Sequence, residues 1–169
     1  VGAGIAMHWD GKFYLFYTGF AREGYEQGPS KIGIAVSANL RDWERKGIVM
    51  EPDSAYKWES AGLYQVYTMR HNGTFYLFYN AKNRQSRWRE QIGVATSQDL
   101  FHWKKYHGNP IVETGRPDSW DSRFVADPWV IPIRGTWHMF YYGFDGTYAR
   151  DGLAISADLV HWEKSPWNP

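Results

Sequence analysis

The sequence predicts an all-β fold of the β-propeller type, with three four-stranded antiparallel blades following one another along the chain. The main observation is an internal repeat: residues 13–17 (FYLFY) return as residues 75–79 (FYLFY) and as residues 137–141 (WHMFY), 62 residues apart each time (75 − 13 and 137 − 75). The second observation is that no window of the sequence shows sustained helical periodicity. Short runs of β-forming residues lie between Gly, Asn, Asp and Pro instead. Radially repeated four-stranded units are typical of a propeller.

Two further sequence blocks repeat in the same order, one at a shift of 60 (92 − 32 and 152 − 92) and one at a shift of 62. An apolar, Gly-containing block follows each of the first blocks and leads through a turn to a Trp; it covers residues 32–43, 92–103 and 152–162. Ahead of the later units, Trp58-Glu59-Ser60 is matched by Trp120-Asp121-Ser122 at the same shift of 62 (120 − 58). Three blocks that repeat in one order exclude a chance repeat.

The repeat divides residues 1–169, a single partial propeller domain, into blade 1 (1–55), blade 2 (56–117) and blade 3 (118–169). Four strands are predicted per blade, lettered A to D from the inside outward. The A strands are 5–9, 63–70 and 125–133; the B strands 12–17, 74–79 and 136–142; the C strands 32–36, 92–96 and 152–155; the D strands 44–50 and 104–112. The last blade is expected to lack its outer strand, since residue 169 falls where that strand would begin.

Composition excludes several classes of function. The net charge is +1 without a basic stripe, so nucleic acid is not expected as a partner. No apolar run approaches the roughly 18 residues of a membrane span, and the absence of Cys removes thiol catalysis and thiolate metal sites. The 31 aromatic residues (10 Trp, 12 Tyr and 9 Phe) suit β-structure and a carbohydrate ligand, because flat rings stack on the apolar faces of sugars. A soluble protein is predicted, with a secreted, periplasmic or cytoplasmic location left open.

Loop lengths predict which face of the propeller carries function. The A–B turns, such as Asp10-Gly11 and Asn72-Gly73, are tight, and the C–D turns are nearly identical repeats. The long and dissimilar loops are the B–C loops, 18–31, 80–91 and 143–151, and the D–A loops, 51–62 and 113–124. Such loops on a rigid scaffold usually carry function. Antiparallel connectivity puts them all on the face where the A strands begin, which is therefore the predicted working face.

One column of the repeat departs from the pattern in a way that indicates chemistry. Asp127 aligns with Gln65 (127 − 62) and with Ala3 (65 − 62), so an acid stands in one blade at the inner end of its innermost strand. Pro128 fixes the backbone beside it, and Trp129 follows. A carboxylate among aromatic rings at the mouth of a central funnel has the environment that tunes a pKa. The alternative is a turn Asp that accepts hydrogen bonds from nearby backbone amides, a common role that composition alone favours.

The blade pattern, with its FYLFY-like strand and its Ser-x-Asp-Leu-x-x-Trp turn, resembles the five-bladed propeller glycosidases of glycoside hydrolase families 43 and 32 and their relatives. The turn reads SQDLFHW at 97–103 and SADLVHW at 156–162. The resemblance covers nearly the whole chain and implies a partial five-bladed-type propeller related to the hydrolysis of glycosidic bonds. It also implies that Asp127-Pro128 matches an inner-strand Asp-Pro of those families. There the Asp is a base or nucleophile, or it orients substrate and stabilises the transition state.

The resemblance also implies which catalytic groups of the five-bladed enzymes are missing from these three blades. The family's base or nucleophile position is Ala3 in this chain, and its general acid Glu belongs to a following blade. The isolated chain is therefore expected to be inactive. It is expected either to be part of a longer enzyme or to form a homo-oligomer in which edge strands pair and complete the ring. The rival interpretation is a non-catalytic carbohydrate-binding or protein-interaction module.

Other residues complete the candidate site. Glu59 and Asp121, at equivalent positions, are candidate second carboxylates, with bracing of the D–A loop as the alternative. Arg123 is a candidate to orient a carboxylate or a sugar hydroxyl, with an exposed loop position as the alternative. The further candidate substrate-binding residues are Trp129, Tyr64, Gln65, Trp58, Trp120 and Trp88, the last with subunit contact as its alternative. The six His show no ligand-like spacing, and no metal or other cofactor is predicted.

Overall fold

The computed structural model describes residues 2, 4–23, 29–84 and 89–169, and these form the predicted all-β fold. Blade 1 contains the strands β1 (Gly4–Trp9), β2 (Lys12–Phe20), β3 (Ser30–Ser37) and β4 (Glu44–Met50). A 3-10 turn over Lys57–Glu59 then leads into blade 2, with β5 (Gly62–His71), β6 (Thr74–Lys82), β7 (Glu90–Ser97) and β8 (Lys104–Lys105). Blade 3 contains β9 (Phe124–Ile133), β10 (Thr136–Phe144), β11 (Ala149–Ser156) and β12 (Glu163–Lys164).

The blades join side by side in one sheet that does not close within the described residues. Neighbouring strands inside a blade are antiparallel, whereas β3 meets β5 through the parallel pair Ser30 and Gly62, and β7 meets β9 through Glu90 and Phe124. Gly62 has a φ of 142°, and a Cβ there would lie 2.3 Å from the Ser30 hydroxyl oxygen. Only glycine fits this joint. Both joints lie where C and A strands begin, on the working face.

Two inner strands bulge at the same column of the repeat. In β5 the register shifts between Tyr64 and Val66, so that Gln65 is an extra residue. In β9 the corresponding shift places Asp127 and Pro128 opposite the single residue Tyr141. A bulge breaks the ladder and redirects a side chain, and such bulges are common beside active sites.

The B and C strands reach further toward the working face than the sequence predicts. The B strands end at Phe20, Lys82 and Phe144, and the C strands of blades 1 and 2 begin at Ser30 and Glu90. The prediction stopped early because polar residues at a strand end look like loop. Here their backbones still pair across the hairpin, with Lys82 opposite Glu90.

The outer strand of blade 2 is shorter than the predicted 104–112. Pairing covers Lys104–Lys105 and resumes in a bridge between Ile92 and Val112. Between them the side chain of Asn109 takes the place of a backbone partner. Its Oδ1 accepts from the Val94 amide at 2.9 Å, and its Nδ2 donates to the Val94 carbonyl at 2.9 Å.

Blade 3 differs from the prediction in the same region. It does not lack its outer strand, because Lys164 and Glu163 pair with Ala154 and Ile155. Asn168 then bonds to the backbone of Leu153 at 2.8 and 3.1 Å, repeating the arrangement of the second blade. A side-chain amide can complete a ladder where the backbone turns away, so a pattern based on β-formers misplaces this strand.

The core lies between blades. Phe16 and Phe78, in the repeated B-strand block, are fully buried. Each meets the C–D turn Trp of the next blade edge-on, Phe16 with Trp103 at 5.7 Å and Phe78 with Trp162 at 6.1 Å between ring centroids. Edge-to-face pairs of this kind add about 0.5–1.5 kcal/mol beyond the buried area. The equivalent Phe140 of blade 3 is 44% exposed. The repeat is therefore conspicuous because it encodes this blade-to-blade contact.

The C–D turns repeat because each is built around a Ser and an Asp. Ser97 Oγ accepts from the amides of Asp99 and Leu100, and Asp99 Oδ1 accepts from the amides of Phe101 and His102. The ring of His102, 2.6 Å from Asp99 Oδ2, and the amides of His102 and Phe101 lower the pKa of Asp99. Asp158 and His161 repeat the arrangement in blade 3. Both His belong to turns on the face opposite the working face, as the sequence indicates.

Candidate active site at the blade 2–blade 3 joint

Asp127 lies three residues into the inner strand of blade 3, at its bulge, in an unusual backbone conformation. Its φ is 54°, in the left-handed region that Asp tolerates better than most non-glycine residues. The side chain keeps an exposed edge, while neighbouring atoms exclude enough water to raise the pKa of Asp127 above its ordinary value. Its backbone N–H points to Asn80 Oδ1 of blade 2, at 3.5 Å. The carboxyl group is thus placed by a strained bulge between two blades.

Three buried polar residues of blade 2 form a connected group, one of which, Asn80, faces the Asp127 N–H. Asn80 and Lys82 stand two apart on β6, and Glu90 lies opposite Lys82 on β7. The Glu90 carboxylate accepts from Lys82 Nζ at 2.9 Å through one oxygen and from Asn80 Nδ2 at 2.5 Å through the other. Buried charges are rarely retained unless paired. The buried Lys82–Glu90 ion pair is therefore an integral part of this site and not an incidental surface contact.

Tyr64 and Gln65 occupy the inner strand of the neighbouring blade. Tyr64 is buried, and Lys82 Nζ lies 4.6 Å from the centroid of its ring, within cation–π range. Phe20 of blade 1 packs against the same ring at 6.2 Å. Gln65 is half-buried in the bulge equivalent to that of Asp127. Both residues thus lie in the region predicted for substrate contact, although Tyr64 is engaged in packing.

Glu59 is fully buried and saturated with hydrogen bonds. Its Oε1 accepts from the Asp53 amide at 2.7 Å and from the Lys105 ammonium group, and its Oε2 accepts from the Tyr79 hydroxyl at 3.1 Å. Burial and the adjacent carboxylate raise the pKa of Tyr79 well above its ordinary value. These contacts match the bracing alternative for Glu59.

Asp121 repeats this arrangement in blade 3. Its Oδ2 accepts from Lys164 Nζ at 2.5 Å and from the Tyr141 hydroxyl at 3.3 Å, and its Oδ1 accepts from Ser119 Oγ at 2.9 Å. Asn168 also donates to the Tyr141 hydroxyl. A network present in two blades at equivalent residues serves the common scaffold.

Trp58 and Trp120 pack into their own blades. Trp58 stacks on Tyr79 with 5.7 Å between ring centroids, and Trp120 stacks on Tyr141 at 5.6 Å. A Cβ at Gly93 would lie 2.7 Å from the Trp58 ring, so the indole occupies the space that glycine leaves. The structure uses both rings in packing, and their contact with substrate stays a prediction.

The remaining predicted residues lie at the edges of the site. Trp129 is 62% exposed and stacks on Tyr67 of blade 2 at 6.2 Å. Arg123 is exposed, and its amide donates to the Phe144 carbonyl at 2.9 Å. Trp88 and Ala3 lie outside the described residues. Asp127 in blade 3 and Tyr64 and Gln65 in blade 2 therefore lie at the bulges of adjoining inner strands.

Two further properties concern the described part of the chain. Among residues 2, 4–23, 29–84 and 89–169, no group of three or more His, Asp or Glu side chains is arranged to hold a metal ion. Across the same ranges, no helix has the length and apolar character needed to cross a membrane.

Comparison with known families identifies the propeller. The family model of the glycosyl hydrolases family 32 N-terminal domain matches residues 4–139, which is most of the chain. The chain belongs to this family. The resemblance to propeller glycosidases inferred from the repeated blocks is thereby confirmed, although the match ends within the third blade.

Curated relatives of this family 32 domain include phosphorylases and a hydrolase. A 1,2-beta-oligomannan phosphorylase of Thermoanaerobacter sp. is 31% identical over 153 residues, covering 89% of this chain and 45% of the relative. A sucrose-6-phosphate hydrolase of Pediococcus pentosaceus is 26% identical over 158 residues, covering 93% of this chain and 29% of the relative. The chain thus spans less than half the length of either protein.

Solved structures place the family 32 domain among propeller glycosidases. A family 117 glycoside hydrolase of Zobellia galactanivorans superimposes with a TM-score of 0.82 at 23% identity, covering 97% of this chain and 54% of that one. Fructan 1-exohydrolase IIa of Cichorium intybus gives a TM-score of 0.79 at 20% identity, covering 96% and 31%. These likenesses establish the fold, and with it the prediction of a partial propeller.

Sequence reasoning missed Asn80, Lys82 and Glu90, although a signal for them exists. The repeat aligns Asn80 with Thr18 (80 − 62) and Lys82 with Phe20 (82 − 62). Blade 3 has Tyr142 and Phe144 at these positions, so Lys82 is the one charged residue in a column of Phe. Extending the comparison three residues beyond the second predicted B strand reaches Asn80 and Lys82, and extending it two residues before the second predicted C strand reaches Glu90, which corresponds to Ser30.

Proposed function

We propose that this family 32 domain contributes Asp127 to the cleavage of glycosidic bonds in a carbohydrate substrate. The observation that carries the proposal is the partly desolvated carboxyl of Asp127, set in a left-handed bulge at the head of an inner strand. Strained backbone and a raised pKa together are typical of functional sites. Family membership supports carbohydrate as the substrate class.

The chemistry requires a negative charge beside the reacting sugar carbon. In hydrolysis, the bond between the anomeric carbon and the bridging oxygen breaks, a water oxygen bonds to that carbon, and a proton passes to the leaving oxygen. Positive charge develops on the sugar in the transition state. We assign Asp127 the stabilisation of that charge, because a carboxylate interacts more strongly with it once a bound sugar displaces the surrounding water.

Glu59 and Asp121 take a different role in this proposal. The oxygens of both carboxylates accept hydrogen bonds from scaffold residues, and each is paired with a lysine. Their bonds hold the loop between an outer strand and the next inner strand. We assign them to bracing the working face rather than to the reaction.

Phosphate is a second candidate acceptor, since the curated relatives include 1,2-beta-oligomannan phosphorylase and beta-1,2-mannobiose phosphorylase. In phosphorolysis a phosphate oxygen replaces water as the group that bonds to the anomeric carbon, and the product is a sugar 1-phosphate. The cleaved bond and the role of Asp127 stay the same. The two reactions are therefore distinguished by their products.

The test compares wild type with Asp127→Asn in the complete enzyme or assembled ring that supplies the missing base and acid, on aryl α-L-arabinofuranoside, β-xyloside, β-fructoside and β-1,2-mannobiose, with and without inorganic phosphate. Loss of the charge is expected to lower kcat by about 10³-fold. Asp118→Asn, an exposed loop acid of the same blade, is the matched control with wild-type turnover expected. Free sugar indicates hydrolysis, and sugar phosphate indicates phosphorolysis. Oligosaccharide binding with no turnover dependent on Asp127 contradicts the proposal and establishes the non-catalytic module.

A further inference from the structure

The buried group formed by Asn80, Lys82 and Glu90 has a feature that simple ion pairing does not explain. Glu90 divides its carboxylate between a cation and an amide, accepting from Lys82 at 2.9 Å and from Asn80 at 2.5 Å. Asn80 is 1% exposed, and its other amide atom faces the Asp127 N–H. A continuous chain of contacts therefore runs from Lys82 through Glu90 and Asn80 to the backbone of Asp127.

The direction of the Asn80 amide follows from the chemistry of Glu90. A side-chain amide presents either its oxygen or its NH₂ group to a neighbour, whereas an ionised carboxylate only accepts hydrogen bonds. Glu90 therefore takes the NH₂ group of Asn80 and leaves Oδ1 for the Asp127 N–H. Lys82, paired with Glu90 and held over the Tyr64 ring, favours the ionised carboxylate.

The backbone of Asp127, where this chain of contacts ends, needs contacts from neighbouring residues to keep its conformation. Asp127 has a φ of 54° in the β9 bulge, and a non-glycine residue keeps such a conformation only where its surroundings enforce it. Pro128 has no N–H, so the Asp127 N–H is the donor of this dipeptide that can bond to the neighbouring blade. Glu90 also forms the blade joint with Phe124, three residues before Asp127.

The repeat provides a comparison within the same molecule. The positions of Asn80, Lys82 and Glu90 in blade 1 hold Thr18, Phe20 and Ser30, so no amide–carboxylate–lysine set exists there. Ser30 instead donates to the Leu63 carbonyl at 2.6 Å. The set therefore occurs at the joint next to the acidic bulge and is not a general requirement for joining two blades.

We propose that Glu90 is a positioning residue for Asp127, acting through the side-chain amide of Asn80. The inference rests on the proposed role of Asp127 in glycosidic bond cleavage. Glu90 fixes which amide atom faces Asp127, and the amide fixes the bulge that aims the carboxyl group into the site. A displacement of about 1 Å at a reacting group can cost on the order of 100-fold in rate.

The test uses Glu90→Gln, Asn80→Leu and the double variant in the same complete form of the protein that is assayed for Asp127→Asn. Two quantities are measured: kcat on the substrate that wild type cleaves, and the pKa of Asp127 by ¹³C NMR titration of its carboxyl carbon, assigned with Asp127→Asn. Each single variant is expected to lower kcat by about 10- to 100-fold with little change in KM. Each is also expected to lower the pKa of Asp127 toward its ordinary value, as the loosened carboxyl gains water.

The double variant decides whether Glu90 acts through Asn80. If it does, N80L/E90Q loses no more kcat than N80L alone, whereas independent residues give additive losses. Asn80→Leu keeps the ion pair and the net charge, so it separates orientation from charge and still gives a readout if Glu90→Gln does not fold. Asn109→Ala is the matched control, since this amide of the same blade bonds to Val94 and Tyr79 and does not contact Asp127.

The outcomes separate the two proposals. Unchanged kcat and unchanged Asp127 pKa in folded Glu90→Gln and Asn80→Leu, or additive losses in the double variant, overturn the positioning role. If Asp127→Asn keeps wild-type turnover, the proposed function fails, while the NMR titration still decides whether Glu90 positions Asp127. Asn109→Ala is expected to lower thermal stability while the Asp127 pKa stays at the wild-type value.

Discussion

Replacing Glu59 with Ala is expected to remove a large part of the stability of the fold. The side chain is fully buried and accepts from the Asp53 amide at 2.7 Å, the Tyr79 hydroxyl at 3.1 Å and the Lys105 ammonium group. The variant leaves Lys105, whose side chain is 14% exposed, without its carboxylate. Breaking a buried pair in this way costs about 3–5 kcal/mol. Whole domains are stable by about 5–15 kcal/mol, so the loss is roughly a fifth or more of a typical total.

Urea unfolding followed by Trp fluorescence measures this loss as a shift in the midpoint at constant m value. Glu51→Ala is the matched control, because its 2.8 Å pair with Lys31 is exposed and is expected to contribute about 0–1 kcal/mol. Glu59→Leu combined with Lys105→Met is expected to regain much of the loss, since no unpaired charge stays buried. A free energy of unfolding for Glu59→Ala within about 1 kcal/mol of wild type would refute the bracing role.

Three further outcomes are expected. Burial raises the pKa of Asp127, so the charged carboxylate lowers the stability of the fold above that pKa and has no effect below the unfolded-state pKa of about 3.9. Asp127→Asn is therefore expected to be more stable than wild type near pH 7. Thermal melts should show that this gain disappears at about pH 3.5. Burial raises the pKa of Tyr141 far above 10, so the stability of wild type should fall above about pH 10, where the unfolded chain releases the proton and the folded chain does not. In Tyr141→Phe the free energy of unfolding should fall less steeply with pH in this alkaline range. Gly93→Ala should lower the free energy of unfolding in urea by about 1–3 kcal/mol, because the added Cβ would lie 2.7 Å from the Trp58 ring. Gly19→Ala should cause no such loss, because its Cβ would lie 3.9 Å from the nearest atom. Equal losses in the two variants would contradict the packing explanation.

The sequence predicted strands best where the residues repeat. Phe16 and Phe78 return at a fixed spacing because each packs on a Trp of the next blade, and this contact is required at every joint. The same logic identified Asp127, since a column that breaks a structural repeat is released from the structural requirement. Outer strands were predicted less well. Asn109 and Asn168 replace backbone partners with side chains, which a pattern of β-forming residues does not detect.

The carboxylates show why residue type alone is insufficient. Glu59, Asp121 and Asp127 are three acids near the starts of inner strands, and the repeat favours a scaffold role for the first two without showing what they contact. The structure shows those contacts, because Glu59 and Asp121 accept hydrogen bonds from scaffold donors while Asp127 is exposed. A carboxylate that already accepts from a lysine and a tyrosine has little capacity left for substrate.

By itself, the sequence determined the propeller and its register, because these depend on contacts that recur about every 62 residues and appear as a period, and it marked Asp127 as an acid with no acidic counterpart in the other two blades. Only the tertiary structure decided what surrounds that acid. Asn80 and Asp127 are 47 residues apart and meet because the β6–β7 hairpin carries Asn80 to the joint where β9 begins. Contacts made once, across such a separation, leave no period in a single sequence. The set formed by Lys82, Glu90 and Asn80 therefore becomes visible only when the blades are assembled.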